Sequence, residues 1–308
     1  MSEEYRISYS FNDLTNLDGY ISSTEYNLLK ELEIELKRPE IYKRIHYNST
    51  QSQMVENDNG YFGSRKFVCK DNKLISITLT HFNLKVIPKQ IFMFSDLIGL
   101  YIERCPIELL DDNIGNLQRL EHFTLSNSNI YSLPEAFFTI LHLKRLHISS
   151  KHFYSFSESF SNFKQLEILE INGNLTEIPP TIGEIKSLKY IDFSWNNLKS
   201  LPNELANLPN LGILLLNGNK FTIFPEIICE LYNLEEIQLY HNAITEIPSC
   251  ISNLKKLNTL NLFDNNIKTI PPELLSLPNL ESIALRENPL KNLDEIAKYF
   301  LTKNIVVS

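Results

Sequence analysis

The sequence is poor in the residues that build tight turns and reactive sites. Its 308 residues include nine glycines, four cysteines and a single tryptophan. With so little glycine, most close turns must be formed by other residue types. The cysteines, at positions 69, 105, 229 and 250, form no C-x-x-C pair. We expect them to be small buried side chains in a reducing compartment, although Cys229 and Cys250 lie almost one repeat apart and could touch.

Motifs of the common enzyme classes are also missing. The chain contains no G-x-x-x-x-G-K-[ST] phosphate loop, no G-x-S-x-G, no H-E-x-x-H and no protein-kinase signature. Seven histidines are scattered along it, and the two expected on neighbouring strands, His122 and His147, are offset by two residues. Metal ligands need to converge more closely than that. We therefore expect no catalytic residues, no cofactor and no metal site.

Charge and hydropathy narrow the classes of partner. The 29 basic and 37 acidic residues give a formal net charge of −8, which argues against binding to nucleic acid or an anionic membrane. No apolar stretch is long enough to span a bilayer, and the opening "MSEEYRISYS" lacks a signal-peptide pattern. Of the two N-x-S/T sequons, at Asn48 and Asn174, the second is expected to be buried, where no glycan could attach. A cytoplasmic monomer is expected.

Leucine recurs along the chain with a period of 23 residues. It opens each of ten copies of the pattern L-x-x-Φ-x-Φ, where Φ is apolar, and one copy is shortened to 22 residues. Further apolar residues follow near positions 11 and 14, and a proline comes next in seven of the ten copies. The leucines are at 74, 97, 120, 143, 166, 188, 211, 234, 257 and 280, and the prolines at 88, 134, 179, 202, 225, 248 and 271.

This pattern predicts a stack of short parallel strands. The apolar residues of L-x-x-Φ-x-Φ point inward, and one copy cannot bury its own edge, so neighbouring copies must pack together. Proline then begins a return by short helical or extended turns. An asparagine at position 9 should be buried and bonded to turn backbone, whereas Asn217 should lie on the surface. The position-9 asparagines are Asn174, Asn196, Asn219, Asn242, Asn265 and Asn288; the first four copies carry Phe82, Cys105, Ser128 and Lys151 instead.

Segments such as "LKYIDF", "LGILLL" and "LNTLNL", each followed by Asn and then by an apolar residue and Pro, resemble the leucine-rich repeat family of the 23-residue type. The closest patterns are those of intracellular Ras-suppressor-like and Scribble-like proteins. The resemblance covers about residues 74–293. It implies an α/β fold, a right-handed horseshoe solenoid of ten repeats with its parallel sheet on the concave face. It also implies a non-catalytic scaffold, with small GTPases among the partners expected from this family.

Both ends of such a stack need a cap, which predicts three segments: 1–73, 74–293 and 294–308. In the first, Ser22 and Glu25 fit the start of a helix. A strand at 66–69, turning at Asp71-Asn72, should then cover the first repeat. Residues 1–20 are expected to be ordered only in part, and 40–62 read as a polar loop. In the last segment a helix should close the core with Ile296, Tyr299 and Phe300.

The repeat register also predicts a binding surface. If the opening leucine is position 1, positions 2, 3, 5, 7 and 8 face outward from the strands. Trp195, at position 8, should therefore stand at the exit of a strand, either packed across adjacent repeats or available to a partner, and exposed tryptophan is a favoured interface anchor. Apolar residues continue from it in an oblique band that suggests a contact site. The predicted partner-binding residues are Ile168, Tyr190, Trp195, Ile213, Leu215, Glu235, Glu236, Tyr240 and Phe263.

The same outward positions carry ten acids and five bases, with most of the acids in the later repeats. An apolar band with an acidic rim suits a protein with an apolar centre and a basic edge. We therefore expect a protein-protein interaction module or scaffold, and the family resemblance implies a role in small-GTPase-type signalling. Two other interpretations are a recognition subunit for a peptide or small molecule, and a regulatory subunit of a separate enzyme.

Overall fold

The computed structural model describes residues 8–10, 22–36, 64–70, 73–291, 298–300, 302 and 305–307. The chain forms two compact units, Met1–His152 and Phe153–Ser308, which are described separately below. The expected loop at 40–62, the Asp71-Asn72 turn and Ile296 lie outside the described residues. Within the described ranges, no helix has both the length and the apolar content needed to cross a membrane.

The first unit contains six strands that pair in chain order. The first two pairings are antiparallel and the rest are parallel. The covering strand expected before the first repeat is present, since β2 pairs with β3 from Ser64 opposite Thr80 to Lys70 opposite Lys73. The strands are β1 (Ser8–Ser10), β2 (Ser64–Lys70), β3 (Lys73–Thr80), β4 (Gly99–Glu103), β5 (His122–Ser126) and β6 (Arg145–Ser149).

Among the described residues before these repeats, one segment forms an α-helix, α1 (Ser23–Leu36). Its start is capped as the sequence predicts: the Ser22 hydroxyl accepts a hydrogen bond from the Glu25 backbone N–H at 3.2 Å and donates to the Glu25 carboxylate. That carboxylate also accepts from the backbone N–H of Leu74 at 3.2 Å, so it joins the helix to the first repeat strand. The buried helix residues are Leu29, Leu32 and Leu36, which are spaced three and four residues apart and so share one face.

The second unit contains seven strands, all paired in parallel. The last of them, β13, was not predicted. A helix was expected to run to the C-terminus, but only residues 298–300 and 302 are described as helical, and Phe300 is buried while Tyr299 is 39% exposed. The strands are β7 (Ile168–Asn172), β8 (Tyr190–Asp192), β9 (Ile213–Leu215), β10 (Glu236–Gln238), β11 (Thr259–Asn261), β12 (Ser282–Ala284) and β13 (Val306–Val307).

Each of the strands β3 to β11 is followed by a return through a one-turn 3₁₀ helix, and all ten opening leucines of the repeats are buried. Every repeat proline immediately precedes such a helix, with its fixed φ already suited to the turn. Where proline is missing, Asp111 and Ser157 accept hydrogen bonds from the backbone instead. The 3₁₀ helices are Lys89–Met93, Asp112–Asn116, Glu135–Thr139, Glu158–Asn162, Pro180–Glu184, Asn203–Asn207, Glu226–Glu230, Ser249–Asn253 and Pro272–Ser276.

A ladder of asparagine side chains joins the turns of the second unit. Asn219 is representative: its amide donates to the carbonyls of Phe193 at 2.9 Å, Leu216 at 3.0 Å and Asn217 at 3.3 Å, and its oxygen accepts from Leu198 N–H at 3.0 Å. These contacts satisfy backbone groups that the stack buries. The same pattern is repeated at Asn196, Asn242, Asn265 and Asn288.

Asn174 is not part of this ladder, and its predicted burial is wrong. Asn174 is exposed, and its side chain meets that of Asn197, the residue after a ladder asparagine. The cause is the shortened repeat. The Asn174 N–H donates to the carbonyl of Phe153, and the Asn197 N–H donates in the same way to that of Leu175, so the missing residue has moved Asn174 one place along the turn.

Asn217 also differs from expectation, since it is only 4% exposed. Its amide donates to the Ser194 hydroxyl at 3.3 Å, and its oxygen accepts from the Tyr240 N–H at 3.2 Å. Asn217 therefore bonds to the repeat on either side of its own and is a structural residue.

The cysteines divide into two kinds. Cys229 and Cys250 form a disulfide between the 3₁₀ helices of successive repeats, with their Cα atoms 5.7 Å apart, so the expectation of isolated buried thiols is wrong for this pair. Cys105 is a free buried thiol, and burial raises its pKa to about 11.

Candidate functional site

The outward side of β7–β12 carries the predicted binding residues, and we call it the strand face. Ile168, Tyr190 and Ile213 lie side by side at repeat position 3, as predicted, because β7, β8 and β9 pair in register. All three are half-buried. Glu236 continues the same row on β10.

The next outward row, at position 5, is more polar. Leu215 pairs with Asp192 on one side and with Gln238 on the other. Each outward-facing apolar residue of β9 therefore has a carboxylate on an adjacent strand, Ile213 beside Glu236 and Leu215 beside Asp192. Adjacent strands lie about 4.8 Å apart, so each carboxylate is within reach of any side chain resting on its apolar neighbour.

Beyond the strand ends, four rings form what we call the aromatic cluster: Trp195, Tyr240, His241 and Phe263. The Trp195 ring lies 6.4 Å from Tyr240 and 5.9 Å from His241, measured between centroids. His241 lies 5.2 Å from Tyr240 and 5.8 Å from Phe263. The structure thus brings three of the four predicted aromatic residues together around a histidine that was not predicted as a site residue.

The backbone explains how these rings meet. Position 8 has a positive φ in successive repeats: 58° at Trp195, 62° at Gly218, 55° at His241 and 51° at Asp264. Each of these residues donates its N–H to the position-7 carbonyl of the next repeat, so the row stays in register past the strands. Gly218 has no side chain, and the Trp195 ring lies across it towards His241.

Trp195 is both packed across adjacent repeats and accessible, while its contact with a partner stays a prediction. Its ring packs on the adjacent repeats, yet 56% of its surface remains exposed. The side chain is held in one place by the protein and still offers a large face to solvent. A ring fixed in this way loses little conformational entropy when a partner covers it.

The start of the strand face is acidic. Positions 2, 3 and 5 of the six repeats in this unit hold six acids and one base, Lys189, whose ammonium pairs with Glu167 at 3.0 Å. Within the described residues, no lysine or arginine pairs with Glu235, Glu236 or Asp192. The acids, which we call the acidic strip, are Glu167, Glu170, Asp192, Glu235, Glu236 and Glu281.

Basic side chains lie at the other edge of the aromatic cluster. A groove of about 490 Å³ is lined there by Lys199, Lys220 and Thr222 together with His241 and Asp264. The His241 ring nitrogen Nδ1 contacts the Asp264 carboxylate. Carboxylates therefore lie along the strands, and beyond the strand ends two lysines line the groove together with Asp264.

The corresponding face of the first unit has a different character. Lys144 pairs with Glu121 at 2.8 Å, and Arg145 lies opposite His122 on the next strand. Burial, aided by Lys144 and Arg145, lowers the pKa of His122, against the opposing effect of Glu121. No group of three or more metal-ligating side chains gathers anywhere in the described part of the chain.

Comparisons with known proteins agree with this architecture. Residues 222–267 and 187–208 match family models described as leucine-rich repeats. A leucine-rich repeat protein of Leptospira interrogans superimposes with a TM-score of 0.68 at 35% identity, over 73% of this chain and 58% of the other. The fold is a leucine-rich repeat solenoid. The fold class predicted from the sequence is therefore confirmed, while the intracellular 23-residue subtype stays a prediction.

Two further relatives match this chain over a smaller share of their own length. The Toll protein of Drosophila, in a complex with Spatzle, has a TM-score of 0.60 at 27% identity over 72% of this chain and 32% of that one. A disease resistance-like protein of Arabidopsis thaliana is 46% identical over 50 residues, which is 16% of this chain and 4% of the relative. The chain thus spans only part of each relative.

Proposed function

We propose that this protein is a non-catalytic binding module whose strand face docks another protein or a peptide. The observation that carries the proposal is the aromatic cluster, above all the 56% exposed ring of Trp195 held in place over Gly218. Large anchored aromatic side chains contribute most of the affinity at protein interfaces. The docking residues are those predicted from the sequence, with His241 added to them.

The relatives support a protein partner. Leucine-rich repeat proteins generally mediate protein-protein interactions, and the similar Toll structure is a complex with another protein. The finer expectations of a small GTPase, a signalling role and a monomeric state rest on the family resemblance and the sequence alone. Two arguments for a cytoplasmic location have weakened, because Asn174 is exposed and Cys229 is disulfide-bonded.

The test is affinity capture with the full chain followed by titration of the captured protein. Trp195→Ala removes the anchor, and Tyr232→Ala is the matched control, because Tyr232 is also 56% exposed but lies outside the strands, next to the 3₁₀ helix Glu226–Glu230. We expect Trp195→Ala to weaken binding at least ~tenfold and Tyr232→Ala to leave it unchanged. Normal binding by Trp195→Ala together with loss in Tyr232→Ala would place the working surface elsewhere.

A small-molecule ligand is the competing interpretation, and the groove beside Lys199 and Lys220 is where it would bind. Titration of the captured partner distinguishes the two interpretations. If the groove is the functional site, Lys220→Gln should abolish binding of that partner, while Trp195→Ala should have little effect on it.

A further inference from the structure

The strand face combines apolar surface with carboxylates at a spacing that fits one kind of side chain. We propose that the segment it binds carries arginine or lysine side chains, which lie across β8–β10 beside the aromatic cluster. This inference rests on the proposed function and specifies the chemistry of the partner.

The first argument is the pairing of apolar and acidic residues on neighbouring strands. Ile213 is in register with Glu236, and Leu215 is in register with Asp192. Lysine and arginine have an apolar stem and a charged head, so they prefer surfaces where both can be satisfied within one side-chain length. A stem resting on Ile213 or Leu215 places its head about one strand spacing away, at the adjacent carboxylate.

The second argument is that these carboxylates lack a cation of their own. Asp192 accepts from the Ser194 N–H at 2.8 Å, and Glu236 accepts from the Gln238 side-chain amide at 2.7 Å. Neither contact neutralises charge, and no basic side chain among the described residues pairs with either carboxylate. Hydrogen bonds from neutral donors instead fix the two carboxylates in orientation, ready for a cation to approach.

The third argument is the surrounding aromatic surface. Tyr190 lies beside Ile213 in the same row, and the aromatic cluster stands at the strand ends. Cations are attracted to the faces of tyrosine and tryptophan rings, and arginine stacks on them most readily. A neutral segment would gain none of these cation contacts, and an acidic segment would in addition be repelled by the acidic strip.

The lysine-lined groove indicates where the basic side chains of the partner do not lie. Lys199 and Lys220 lie beyond the aromatic cluster, on the side away from the strand starts. The basic side chains of the partner should therefore lie over β8–β10 and avoid the groove. This gives a control, because removing the charge of a groove lysine should not weaken the binding of a cationic ligand.

The experiment selects ligands without assuming the natural partner. Random peptides of about a dozen residues, displayed on phage, are panned on the full chain and then synthesised for titration. Arginines in each selected peptide are replaced by citrulline, and lysines by acetyl-lysine, which remove the charge while keeping most of the shape. The protein variant is Asp192→Asn/Glu236→Gln, in which the amides can keep the hydrogen bonds that Ser194 N–H and Gln238 donate.

The control variant is Glu204→Gln/Glu226→Gln, which changes charge by the same amount at exposed positions on two 3₁₀ helices. We expect the selected peptides to be rich in Arg or Lys. They should bind the Asp192→Asn/Glu236→Gln variant about tenfold more weakly than they bind wild type. The peptides with citrulline or acetyl-lysine should lose the same factor in affinity for the wild-type chain. Affinity for the control variant and for Lys220→Gln should stay within about twofold, the scale expected for distant charges.

Peptides without basic residues, or equal affinity for the Asp192/Glu236 variant and the wild-type chain, would overturn the inference. If peptides with either of these properties still bind Trp195→Ala more weakly than wild type, the proposed function stands and only the inference about basic side chains fails. Basic peptides that bind Trp195→Ala and Asp192→Asn/Glu236→Gln as well as wild type would overturn both.

Discussion

The ring of Trp195 occupies the space that a side chain at Gly218 would need. A Cβ atom built on Gly218 would lie 2.7 Å from Cζ3 and 2.8 Å from Cδ2 of Trp195, closer than such atoms approach in proteins. The absence of one side chain in repeat seven thus sets the position of the principal anchor from repeat six. The relationship can be tested directly, because Trp195 is the only tryptophan in the chain.

Gly218→Ala should displace the Trp195 ring. The added methyl clashes with the indole, and the positive φ of 62° at Gly218 costs about 1–2 kcal/mol for a residue with a Cβ. We expect a shift in tryptophan emission, weaker partner binding and a lower melting temperature. Gly212→Ala is the control, since its Cβ would meet only the Lys189 carbonyl at 3.8 Å. An unchanged emission spectrum in Gly218→Ala would contradict this account.

Asn265→Leu and its neighbour Asn266→Leu should differ sharply in stability. Asn265 is 5% exposed, donates to three carbonyls and accepts from the Ile244 N–H, whereas Asn266 is exposed. Leaving these backbone groups unpaired costs about 1–3 kcal/mol for each group that water cannot reach. Urea unfolding of both variants measures the difference, and equal losses would mean that the ladder contributes no stability.

Asp96 should make stability pH-dependent in acid. A hydrogen bond from Lys73, at 2.8 Å, and contact with Arg119 lower the pKa of its carboxyl, against a smaller opposing effect of burial. A lowered pKa in the folded state gives stability that is full above the unfolded value of about 3.9 and is lost as pH falls through the folded value.

Asp96→Asn should therefore be less stable than wild type at pH 7. This difference in stability should shrink as the pH falls below about 4. In a Lys73→Gln/Arg119→Gln background the same substitution should have little effect at either pH. Thermal melts across this range make the comparison. A gap that widened in acid would show that the ion pairs do not cause the shift.

The Cys105 thiol should resist alkylation in the folded protein. Burial raises its pKa to about 11, so only a very small fraction is thiolate at pH 8, and the group is also shielded from reagent. Peptide mapping after iodoacetamide treatment should show labelling of Cys105 only once denaturant is added. Cys229 and Cys250 should be labelled only after reduction as well. Rapid labelling of Cys105 in the native chain would contradict the assigned burial.

The leucine period was sufficient to predict the strands of the repeats, and the prolines were sufficient to predict the returns. Both are set by local geometry repeated many times, so one register accounts for every copy. The shortened repeat shows the limit of this reasoning. The pattern reveals that one residue is missing but not where the turn absorbs it, and Asn174 was therefore placed in the ladder when it lies one position beyond.

The candidate site was only partly predictable for a related reason. Trp195, Tyr240 and Phe263 follow from the outward positions of the repeat, but their meeting at His241 depends on Gly218 and on a left-handed backbone at position 8. Asn217 has a polar side chain at an outward position, and its burial depends on bonding partners in two other repeats. Contacts between copies are not visible in the pattern of a single copy.

The disulfide has a mechanical consequence for how the second unit comes apart. Stacked repeats lose structure from their free ends inward, one coil after another, because each contacts only its neighbours. Cys229 and Cys250 join the returns of repeats seven and eight. The covalent link limits the conformational entropy that these two repeats gain on unfolding, so they resist a front that spreads along the stack. The same repeats carry Ile213, Leu215 and Tyr240, and the bond therefore stabilises the part of the docking surface that they hold.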